Sequence, residues 1–575
     1  MKYYLLCILL AVPALAQIQE ATIPLPPNPP APLHRELKSS AASVAKSDFQ
    51  IQTTAYSIGQ PTDEEQLYLE LINRARANPT AEGIRLATTT EPNSLQAFAQ
   101  YKVNLNVMKS EFAALPVRQP LAMNRLLTNA ARLHTEYQFN SAQQTHESSD
   151  GTYDDKRVEA QGYDWANLGE NVYCFASNTV HGHEGFQVDW GLGANGTDNG
   201  MQTGRGHRVN IHSDFRDHSD FREVGIGVVL GNKVILGSNP PVDTKSVGPH
   251  LVTQNFGTTQ TNTPFVTGVA YYDLNGNNFY DLGEGIGGLT VNVDGSSFHA
   301  ITSNSGGYAV PVSVADATRA ITFTGLGANG TDSAVVTNAN NVKVDFKPAF
   351  VPATLTGSDV IQTGLASNYS YNSVLGATGY KGHAVLDVNT ANDGADNLNR
   401  VTVNNTGSYT ATSSSVKFTG TGSYRLAYPE FGTQTLTYQN SFYVKVGASL
   451  SFRSRLGIAT TAQLARVEVS RNNGLSWEQI YAQAGVSKPG VTLPGETVFQ
   501  ARTASLAAYA GATIRLRFNF SFSSGTFFNQ TTDGFGWYID DITFGNLIDT
   551  SSATTSTLPA GTAFVFTPPL LVIIF

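Results

Sequence analysis

Apolar and polar positions repeat with two different periods along this chain, and the change of period divides it. Between residues 61 and 258 helical spacing dominates, as in LYLELINRARANP, where Leu67, Leu71 and Ala75 share one face. After residue 265 short apolar runs alternate with polar residues and are separated by Gly- and Asn-rich turns. A period of about 3.6 predicts amphipathic helices and a period of about two predicts half-buried strands. We therefore expect a helix-containing domain followed by β-domains.

Local signals place the elements of the first domain. Thr62 and Glu65 form a capping box that starts the first helix, which ends before Pro79. A second helix is predicted from about Pro120, with an apolar face that includes Met123 and His134. The runs at 223–230, 233–237 and 250–257 are typical of strands. Helices interleaved with a small antiparallel sheet predict an α/β sandwich for residues 61–258.

The same patterns give the remaining boundaries. Two β-sandwiches are predicted, and the second is expected to be a jelly roll. The whole chain is predicted to be a multidomain α+β protein. The run IPLPPNPPAP is typical of an extended polyproline conformation within a linker. GLGANGTD occurs twice with unrelated flanks, which indicates a recurring turn composition and not a repeat. The predicted segments are a signal peptide at 1–16, a Pro-rich linker at 17–60, the α/β domain at 61–258, β-sandwiches at 259–349 and 350–548, and a tail at 549–575.

Composition and the N-terminus indicate export. MKYYLLCILLAVPALA has the Lys2, apolar core and A-L-A ending of a cleaved signal peptide, so we predict a secreted protein, extracellular or at the cell surface, with no transmembrane segment after cleavage. Charged residues make up only 14% and the net charge is −9, which argues against nucleic acid as a partner. Cleavage removes Cys7 and leaves Cys174, so no internal disulfide forms and Cys174 is predicted to be a buried core thiol.

Candidate chemistry concentrates between residues 146 and 207. His146, Glu170 and His207 stand among glycines and turn-forming residues, and His with Glu can bind a divalent metal or move protons near neutral pH. The structural alternative is equally concrete. His146 would cap a helix or bond a backbone carbonyl, Glu170 would accept backbone N–H bonds in a G-E-N turn, and Arg208 with Asn210 would fasten a loop to the sheet.

Other reactive groups carry weaker signals. His181 and His183 have a metal-binding spacing but are predicted in a loop without a third ligand. No G-x-S-x-G element is present, so a serine hydrolase has no local support. The histidines expected to be at the surface or structural are His134, His181, His183, His212 and His218.

Residues 61–258 resemble the bacterial branch of the CAP superfamily, also called SCP-like proteins. The resemblance rests, in order along the chain, on LINRARANP, QPLAMNRLLTNAARLH, THESSDG, GENVY, GHRVNI, FREVGIGVV and LVTQNFG. It implies an α-β-α sandwich with a cleft lined by two His and two Glu, which binds zinc in some members. His146, Glu170 and His207 match the first His, the first Glu and the second His. The second Glu is replaced by Gly193, three residues after Trp190, and the nearby Glu184 and Asp189 do not match the motif.

The second domain contains a calcium-loop spacing. DLNGNNFYDLGE at 273–284 places oxygen ligands at the positions used by an EF-hand loop, and Asn278 replaces the usual Gly because Asn accepts left-handed dihedrals. The segment resembles the B-type repeats of bacterial surface adhesins. The alternative is an Asn- and Gly-rich hairpin turn that binds nothing. The predicted ligands are Asp273, Asn275, Asn277, the carbonyl of Phe279, Asp281 and Glu284.

The third domain resembles jelly-roll modules of secreted bacterial peptidases and of MAM-type adhesion domains. The resemblance rests on VEVSRNNGLSWEQI and DGFGWYIDDITF. Trp477 is expected as a core anchor, although an exposed aromatic residue would bind sugar. Asp540 and Asp541 are weak calcium candidates or close a turn.

Three functions remain open at this stage. The first is a secreted bacterial binding protein whose CAP cleft holds a small ligand, a lipid or a metal, and whose β-sandwiches attach to a cell-surface glycan or protein. The second is a metal-assisted extracellular hydrolase, peptidase-like, in which His146 and His207 hold zinc and Glu170 activates water. The third is a structural cell-surface protein. Binding is favoured over catalysis, with calcium expected at the loop of the second domain and zinc considered as a second cofactor, in the CAP cleft.

Overall fold

The described residues of the computed structural model form two compact units. The small unit contains the described residues that fall within Met1–Thr22 and Leu386–Ser552, and the large unit contains those that fall within Ile23–Val385 and Ala553–Phe575. The predicted signal peptide, His218 and the final LLVIIF lie outside the described residues. The structure describes residues 18–20, 23–35, 54–193, 198–214, 220–237, 244–325, 328–349, 355–357, 364–372, 381–384, 389–430, 432–471, 473–474, 476–488, 495–522, 526–552, 554–558 and 563–567.

Among the described residues, the α-helices are confined to the first part of the large unit. None of the helices in the described part of the chain is long and apolar enough to cross a membrane. The α-helices are α1 (Asp63–Ala77), α2 (Pro79–Ala87), α3 (Pro92–Tyr101), α4 (Leu105–Ala114), α5 (Arg125–Ser141), α6 (Asp154–Ala160), α7 (Thr179–Val188) and α8 (Gly206–His212).

Strands precede, interleave and follow these helices. The chain is multidomain and rich in β-sheet, as the sequence predicts. The strands up to residue 259 are β1 (Ile18–Glu20), β2 (Leu33–His34), β3 (Thr54–Tyr56), β4 (Ala122–Met123), β5 (Trp165–Ala176), β6 (Glu223–Leu230), β7 (Lys233–Ile235), β8 (Lys245–Val247) and β9 (His250–Thr259).

The start of α1 follows directly from its sequence. Thr62 accepts a hydrogen bond from the backbone N–H of Glu65, and the Glu65 side chain accepts one from the backbone N–H of Thr62, so the predicted capping box is confirmed. The prediction of a helix from Pro120 is wrong at its start. Residues 122–123 form β4, and α5 begins only after Asn124, whose side chain caps it.

A five-stranded sheet forms the centre of the first domain, in the order β2-β5-β9-β6-β4. Helix α5 packs on β6 and β9, whereas α7 and α8 pack on β5. The approach of α5 is close because β6 carries glycine at two positions: a Cβ on Gly225 or Gly227 would lie within 2.5 Å of α5 backbone atoms. The sheet and its helices position the segments that carry the candidate residues.

The next part of the large unit consists of two sheets that share one core. They have the orders β13-β10-β16 and β15-β14-β11-β12-β3. Val266 and Tyr308 of the first sheet meet Val291, Ile321 and Phe323 of the second in this core. The strands are β10 (Phe265–Val269), β11 (Thr290–Val293), β12 (Phe298–Ile301), β13 (Gly307–Pro311), β14 (Ala317–Gly325), β15 (Ala328–Val336) and β16 (Val342–Lys343).

This β-module is joined to the helical domain in more than one place. Strand β3 precedes α1 in sequence but pairs in parallel with β12. Lys343 forms an ion pair with Glu70 of α1 at 2.8 Å, and both side chains are largely buried. The Asn341 amide donates to the carbonyl of Pro120 at 2.9 Å. Because β3 comes from the segment before α1, a fragment restricted to residues 259–349 would lack one strand of the sheet.

The Pro-rich segment also packs against the helical domain. We call residues Ile23–Arg35 the strap. Ile23 is fully buried, and the strap has no regular secondary structure until β2 pairs with β5. The Arg35 guanidinium lies 3.5 Å over the Trp165 ring and forms an ion pair with Glu159. Residues 23–35 of the segment predicted as a linker are thus held on the domain surface, whereas β1 pairs with Thr526–Phe528 and β3 with β12.

The small unit is built from long antiparallel strands around an aromatic core. Strands β24 and β30 pair along most of their length, and β1 pairs with β29. Trp537 is fully buried in this core, and its indole N–H donates to the Ser454 hydroxyl at 2.9 Å. The strands are β20 (Val401–Asn405), β21 (Thr412–Ser413), β22 (Ser423–Leu426), β23 (Gln434–Tyr438), β24 (Phe442–Leu456), β25 (Gln463–Ser470), β26 (Glu478–Ala484), β27 (Gln500–Ser505), β28 (Thr513–Phe522), β29 (Thr526–Phe528) and β30 (Trp537–Asp549).

A few short strands complete the large unit. They form the sheets β17-β18-β32 and β19-β31, while β7 pairs with β8. These strands are β17 (Leu355–Thr356), β18 (Ser367–Tyr371), β19 (Lys381–Ala384), β31 (Thr554–Thr557) and β32 (Ala563–Phe566).

Candidate functional site

His146 and Glu170 form a buried pair that is closed by an arginine. His146 follows α5, and Glu170 lies in the middle of β5, not in a turn as the sequence predicts. The His146 Nδ1 is 2.9 Å from Glu170 Oε1, and the Arg157 guanidinium of α6 donates to Oε2 at 2.5 Å. Burial alone would raise the pKa of Glu170, but Arg157, His134 and His146 lower it to about 2. Glu170 is therefore a permanently ionised carboxylate with both oxygens engaged.

His207 has its own carboxylate partner, Asp189. The His207 Nδ1 is 2.8 Å from Asp189 Oδ1, and the His207 backbone N–H donates to Oδ2 at 3.1 Å. Asp189 reaches this position because it ends α7 in the left-handed conformation, with φ of 57°. The ring of Phe186 lies 5.4 Å from the His207 ring, and both His207 and Asp189 are fully buried. The left-handed conformation of Asp189 thus sets the orientation of the His207 imidazole.

The two imidazoles share one hydrogen-bonding pattern. In each, Nδ1 faces a carboxylate, whereas the buried Nε2 has no hydrogen-bond partner among the described residues. A carboxylate at Nδ1 favours the tautomer with its proton there and leaves Nε2 as a lone-pair donor, which is the usual arrangement of a metal-binding histidine. No three His, Cys, Asp or Glu side chains of the described ranges converge as a complete ligand set.

The structure shows which of the two acidic residues near His207, Glu184 or Asp189, contacts this histidine. Asp189 accompanies the imidazole, although it does not match the family motif. Glu184 instead accepts a hydrogen bond from the Thr89 hydroxyl at 2.7 Å, and burial raises its pKa to about 7. The sequence offered one usable signal, an Asp directly before Trp190 at the end of a helix. Arg157 was also missed as the partner of Glu170.

Arg208 and Asn210 fasten α8 to its surroundings, as the structural alternative predicts. The Arg208 guanidinium donates to the carbonyls of Gln187 and Val188. The Asn210 amide donates to the Glu170 carbonyl at 3.2 Å and to the Asn171 side chain at 2.9 Å. Arg208 thus ties α8 to the end of α7, and Asn210 ties it to the strand that carries Glu170.

The remaining described histidines of this domain are buried and hydrogen-bonded. His181 and His183 lie in α7 and not in a loop, so the prediction of a loop there is wrong. The Nε2 of His183 is 3.2 Å from Glu82 Oε1, and the Nε2 of His212 is 3.0 Å from the Gln187 side-chain oxygen. His134 Nε2 is 2.8 Å from the Thr145 carbonyl. Their pKa values are lowered by burial, which indicates neutral structural side chains.

Cys174 is buried, as the sequence predicts. Its thiol lies 3.1 Å from the side-chain oxygen of Gln138, and burial raises its pKa well above the ordinary value. A thiol held protonated in this way is a poor nucleophile.

The side chains of the predicted calcium loop bond to one another and to the loop backbone. The Asn277 N–H donates to Asn275 Oδ1 at 3.0 Å, and the Phe279 N–H donates to Asn277 Oδ1 at 2.7 Å. Asn278 adopts φ of 60°, which confirms that it accepts the left-handed conformation. Asp281 Oδ2 accepts from the amides of both Asn275 and Asn277. The loop is therefore cross-linked by its own side chains, and Asn275 and Asn277 stay exposed.

The carboxylates of this loop carry a charge that hydrogen bonds only partly balance. Asp273 Oδ1 is buried without a hydrogen-bond partner among the described residues, while Oδ2 lies 3.2 Å from Lys347 Nζ. Glu284 accepts backbone N–H bonds from Leu274 and Asp281. Burial raises the pKa of Glu284, and the charges of Asp281 and Asp273 add to the shift. An unpartnered carboxylate oxygen suits a hard divalent cation, but Asp273, Asp281 and Glu284 do not converge as a complete ligand set among the described residues.

An open pocket borders the loop and gives solvent a route to it. The pocket has a volume of about 510 Å³ and is lined by Asn277 and Asp281 of the loop together with Leu67, Leu71 and Arg74 of α1. Its position places the loop beside the helical domain, in the same unit.

In the small unit, Asp540 and Asp541 lie within β30 and hold a segment about 120 residues earlier in the chain. Asp540 Oδ2 accepts from the backbone N–H groups of Phe418 at 2.6 Å and Thr419 at 3.3 Å, and Oδ1 accepts from the Asp541 N–H at 2.7 Å. Asp541 accepts from the Thr419 hydroxyl at 2.5 Å. The turn-closing alternative is therefore not met by a turn at the pair itself, and calcium at Asp540 and Asp541 stays a prediction.

Trp477 is not a core anchor, so that prediction is wrong. Its side chain is only half-buried, and the Arg517 guanidinium lies 4.1 Å over the ring. The indole N–H donates to the Gly474 carbonyl at 3.1 Å.

Comparison with known proteins leaves the family open. No family model matches the chain, and neither does any curated protein. An extracellular protein containing an SCP domain from Bacillus anthracis strain Ames is 18% identical, with a TM-score of 0.17, over 29% of this chain and 42% of that protein. The K1 cleaved adhesin domain of Lys-gingipain from Porphyromonas gingivalis W83 is 12% identical, with a TM-score of 0.17, over 34% of this chain and 92% of that domain.

A carbohydrate-binding module of the β-sandwich superfamily is 10% identical, with a TM-score of 0.16, over 44% of this chain and 84% of the module. The chain spans less than half of the length of the SCP-domain protein. Because TM-scores of this size carry no argument about fold or function, the functional conclusion rests on the residues of this chain and their contacts.

Proposed function

We propose that the protein is a secreted binding protein whose helical domain is a CAP-type α-β-α sandwich. In this proposal His146 and His207 bind a small ligand, a lipid or a metal ion, and the β-modules attach the protein to a glycan or protein of a cell surface. One observation supports it most strongly. Each imidazole is oriented through Nδ1 by a buried carboxylate, and its Nε2 has no partner among the described residues.

Zinc is the ion that suits this pair best. Neutral imidazole nitrogen is a common zinc ligand, and a second-shell carboxylate raises its basicity. Zinc bound here would supply a Lewis-acid centre. Glu170 and Asp189 would act as positioning residues that hold the two rings, with the protons at Nδ1.

The hydrolase alternative is less well supported by the same contacts. A general base that activates water works best when its pKa lies near the operating pH and when one oxygen can reach the water. Glu170 has a pKa of about 2, and its oxygens are engaged by His146 and Arg157. Asp189 is engaged in the same way by His207. Binding without turnover is the function that this arrangement favours.

Zinc titration of the full chain tests the proposal. We expect one zinc site, with affinity reduced at least about tenfold in His146→Ala and in His207→Ala, since each variant removes one ligand. His299→Ala, a substitution in β12 of the β-module, serves as the control and should leave the affinity unchanged. Peptidase and esterase assays on the unmodified protein should show no turnover. Turnover that disappears in both His146→Ala and Glu170→Gln, with the fold intact, would establish the hydrolase instead.

Calcium belongs to the same proposal as a structural cofactor of the β-module. Asp273, Asp281 and Glu284 would supply carboxylate ligands, Asn275 and Asn277 side-chain oxygens, and Phe279 a carbonyl, which suits millimolar calcium outside a cell. The bonds between the loop and Lys347 involve Asp273 and Asn278. A bound ion would replace this ammonium group as the neutralising charge.

A further inference from the structure

The strap is held through its carbonyl groups by side chains of the helical domain. The Tyr101 hydroxyl and the Gln100 amide donate to the carbonyl of Ile23, at 2.5 and 3.0 Å. The Tyr173 hydroxyl donates to Pro24 at 2.8 Å. The next two carbonyls, of Leu25 and Pro26, accept from Gln144 at 2.8 Å and from Gln202 at 2.9 Å. Four successive carbonyls thus have side-chain donors.

This pattern matches the chemistry of a proline-rich chain. Proline has no N–H and a fixed φ, so such a segment makes few internal hydrogen bonds and presents its carbonyls outward. A groove that recognises it needs mainly donors, and the acceptor Gln100 Oε1 takes the N–H of Ile23, the residue before the first proline, at 2.7 Å. Tyr101 and Tyr173 remain donors, because burial raises the pKa of both hydroxyls. The glutamine amides supply the other donors.

Shape complements these bonds. Ile23 and Pro26 are buried, whereas Asn28 is exposed. A Cβ on Gly206 would lie 2.7 Å from Pro29 Cγ, so the start of α8 leaves room for this ring only because it lacks a side chain. The backbone of Gly206 is helical and does not itself require glycine. We therefore attribute the need for glycine at position 206 to the close approach of Pro29.

The strap contacts the same three segments that carry the candidate site. Gln144 precedes His146 by two residues, Tyr173 follows Glu170 on β5, and Gln202 and Gly206 precede His207. The exposed fraction of His146 is 8%, and His207 is fully buried. The ligand groove and the two imidazoles therefore belong to one region of the domain.

We propose that this groove is a binding site for extended, proline-rich peptides and that the strap is its resident ligand. The inference rests on the binding role proposed above and names its ligand class. A peptide from another protein would use the same donors and would have to displace the strap, which is tethered and so competes at a high effective concentration. Binding from outside is therefore weak until the strap is released.

A fluorescent peptide of sequence IPLPPNPPAPLHR, residues 23–35, tests the inference on the full chain by anisotropy. Ile23→Asp places a charge at the buried end of the strap and should release it. We expect this variant to bind the peptide at least about tenfold more tightly than the unmodified chain. Asn28→Asp adds the same charge at an exposed strap position and should behave like the unmodified chain. Pro26→Asp is a second releasing substitution if Ile23→Asp does not fold.

Further measurements test whether the peptide binds in this groove and whether binding requires proline. Adding Tyr173→Phe to the released chain removes one donor and should weaken peptide binding severalfold. A peptide with every proline replaced by alanine should bind at least about tenfold more weakly. A released chain with a native circular dichroism spectrum that does not bind the peptide, or that binds the alanine peptide equally well, overturns the inference. Zinc titration of the same released chain is a separate readout, so loss of the peptide site and loss of the imidazole site are distinguishable.

Discussion

Acidification should destabilise the helical domain through His250 in a way that one substitution can isolate. His250 is the first residue of β9 and is buried, with Nε2 3.2 Å from the Tyr68 hydroxyl. Burial, with a smaller contribution from His181, lowers its pKa to about 3. An unfolded histidine has a pKa of about 6.5, so below that pH the unfolded state binds a proton that the folded state rejects. Stability is therefore complete above this pH and is lost as the pH falls from about 6.5 towards about 3.

The size of the effect follows from the two pKa values. At about pH 5 this one group should cost about 2 kcal/mol relative to about pH 7.5. Asp154 and Glu184 work in the opposite direction, because burial raises their pKa values to about 7 and their penalty is relieved on acidification. The difference between the unmodified chain and His250→Gln removes these shared contributions.

Urea unfolding followed by circular dichroism of the helices provides the assay. Every described α-helix lies between residues 63 and 212, so the helical signal reports this domain. The variant should be less stable at about pH 7.5, because it loses the contact with Tyr68, but its further loss at about pH 5 should be smaller by about 2 kcal/mol. Equal losses on acidification in the two proteins would refute the reasoning.

Three further outcomes are expected. Calcium should raise the melting temperature of the full chain, because a hundredfold excess over Kd stabilises the folded state by about 2.7 kcal/mol. Glu284→Gln should abolish most of this gain, whereas Asp294→Asn, at an exposed position, should keep it. A melting temperature that chelator leaves unchanged would show that the loop is only a turn. Asp189→Asn should weaken zinc binding about 10- to 100-fold without unfolding the protein, and unchanged affinity would show that the carboxylate does not tune His207. Asp393→Asn should destabilise the small unit by about 1–3 kcal/mol in calorimetry, because Asp393 accepts from the hydroxyls of Tyr424 and Tyr438, and an unchanged transition would contradict this.

Local signals in the sequence predicted local structure well. The capping box of α1 involves residues three apart, so it could be read directly, and β6 coincides with the apolar run at 223–230. The predictions were wrong where contacts between residues far apart in the sequence determine the secondary structure. Residues 122–123 form a strand because they pair with β6, about a hundred residues later, and Glu170 lies in a strand because β5 pairs with β9.

The site was predicted in part for the same reason. His146 and Glu170 do meet, as their motifs suggest, but the role of Asp189 depends on the left-handed residue that ends α7. The docking of the strap could not be predicted from its composition. A proline run has no amphipathic period, and the donors that hold it lie 77 to 176 residues away in sequence. The sequence predicts an extended segment but not the surface that binds it.

Anomalous diffraction at the zinc edge from zinc-soaked crystals of the full chain tests the central claim most directly. The account predicts one zinc ion in contact with the Nε2 atoms of His146 and His207, with Glu170 and Asp189 at the opposite nitrogens. A zinc ion bound to Glu170 itself, or crystals in which neither imidazole contacts zinc, would contradict it.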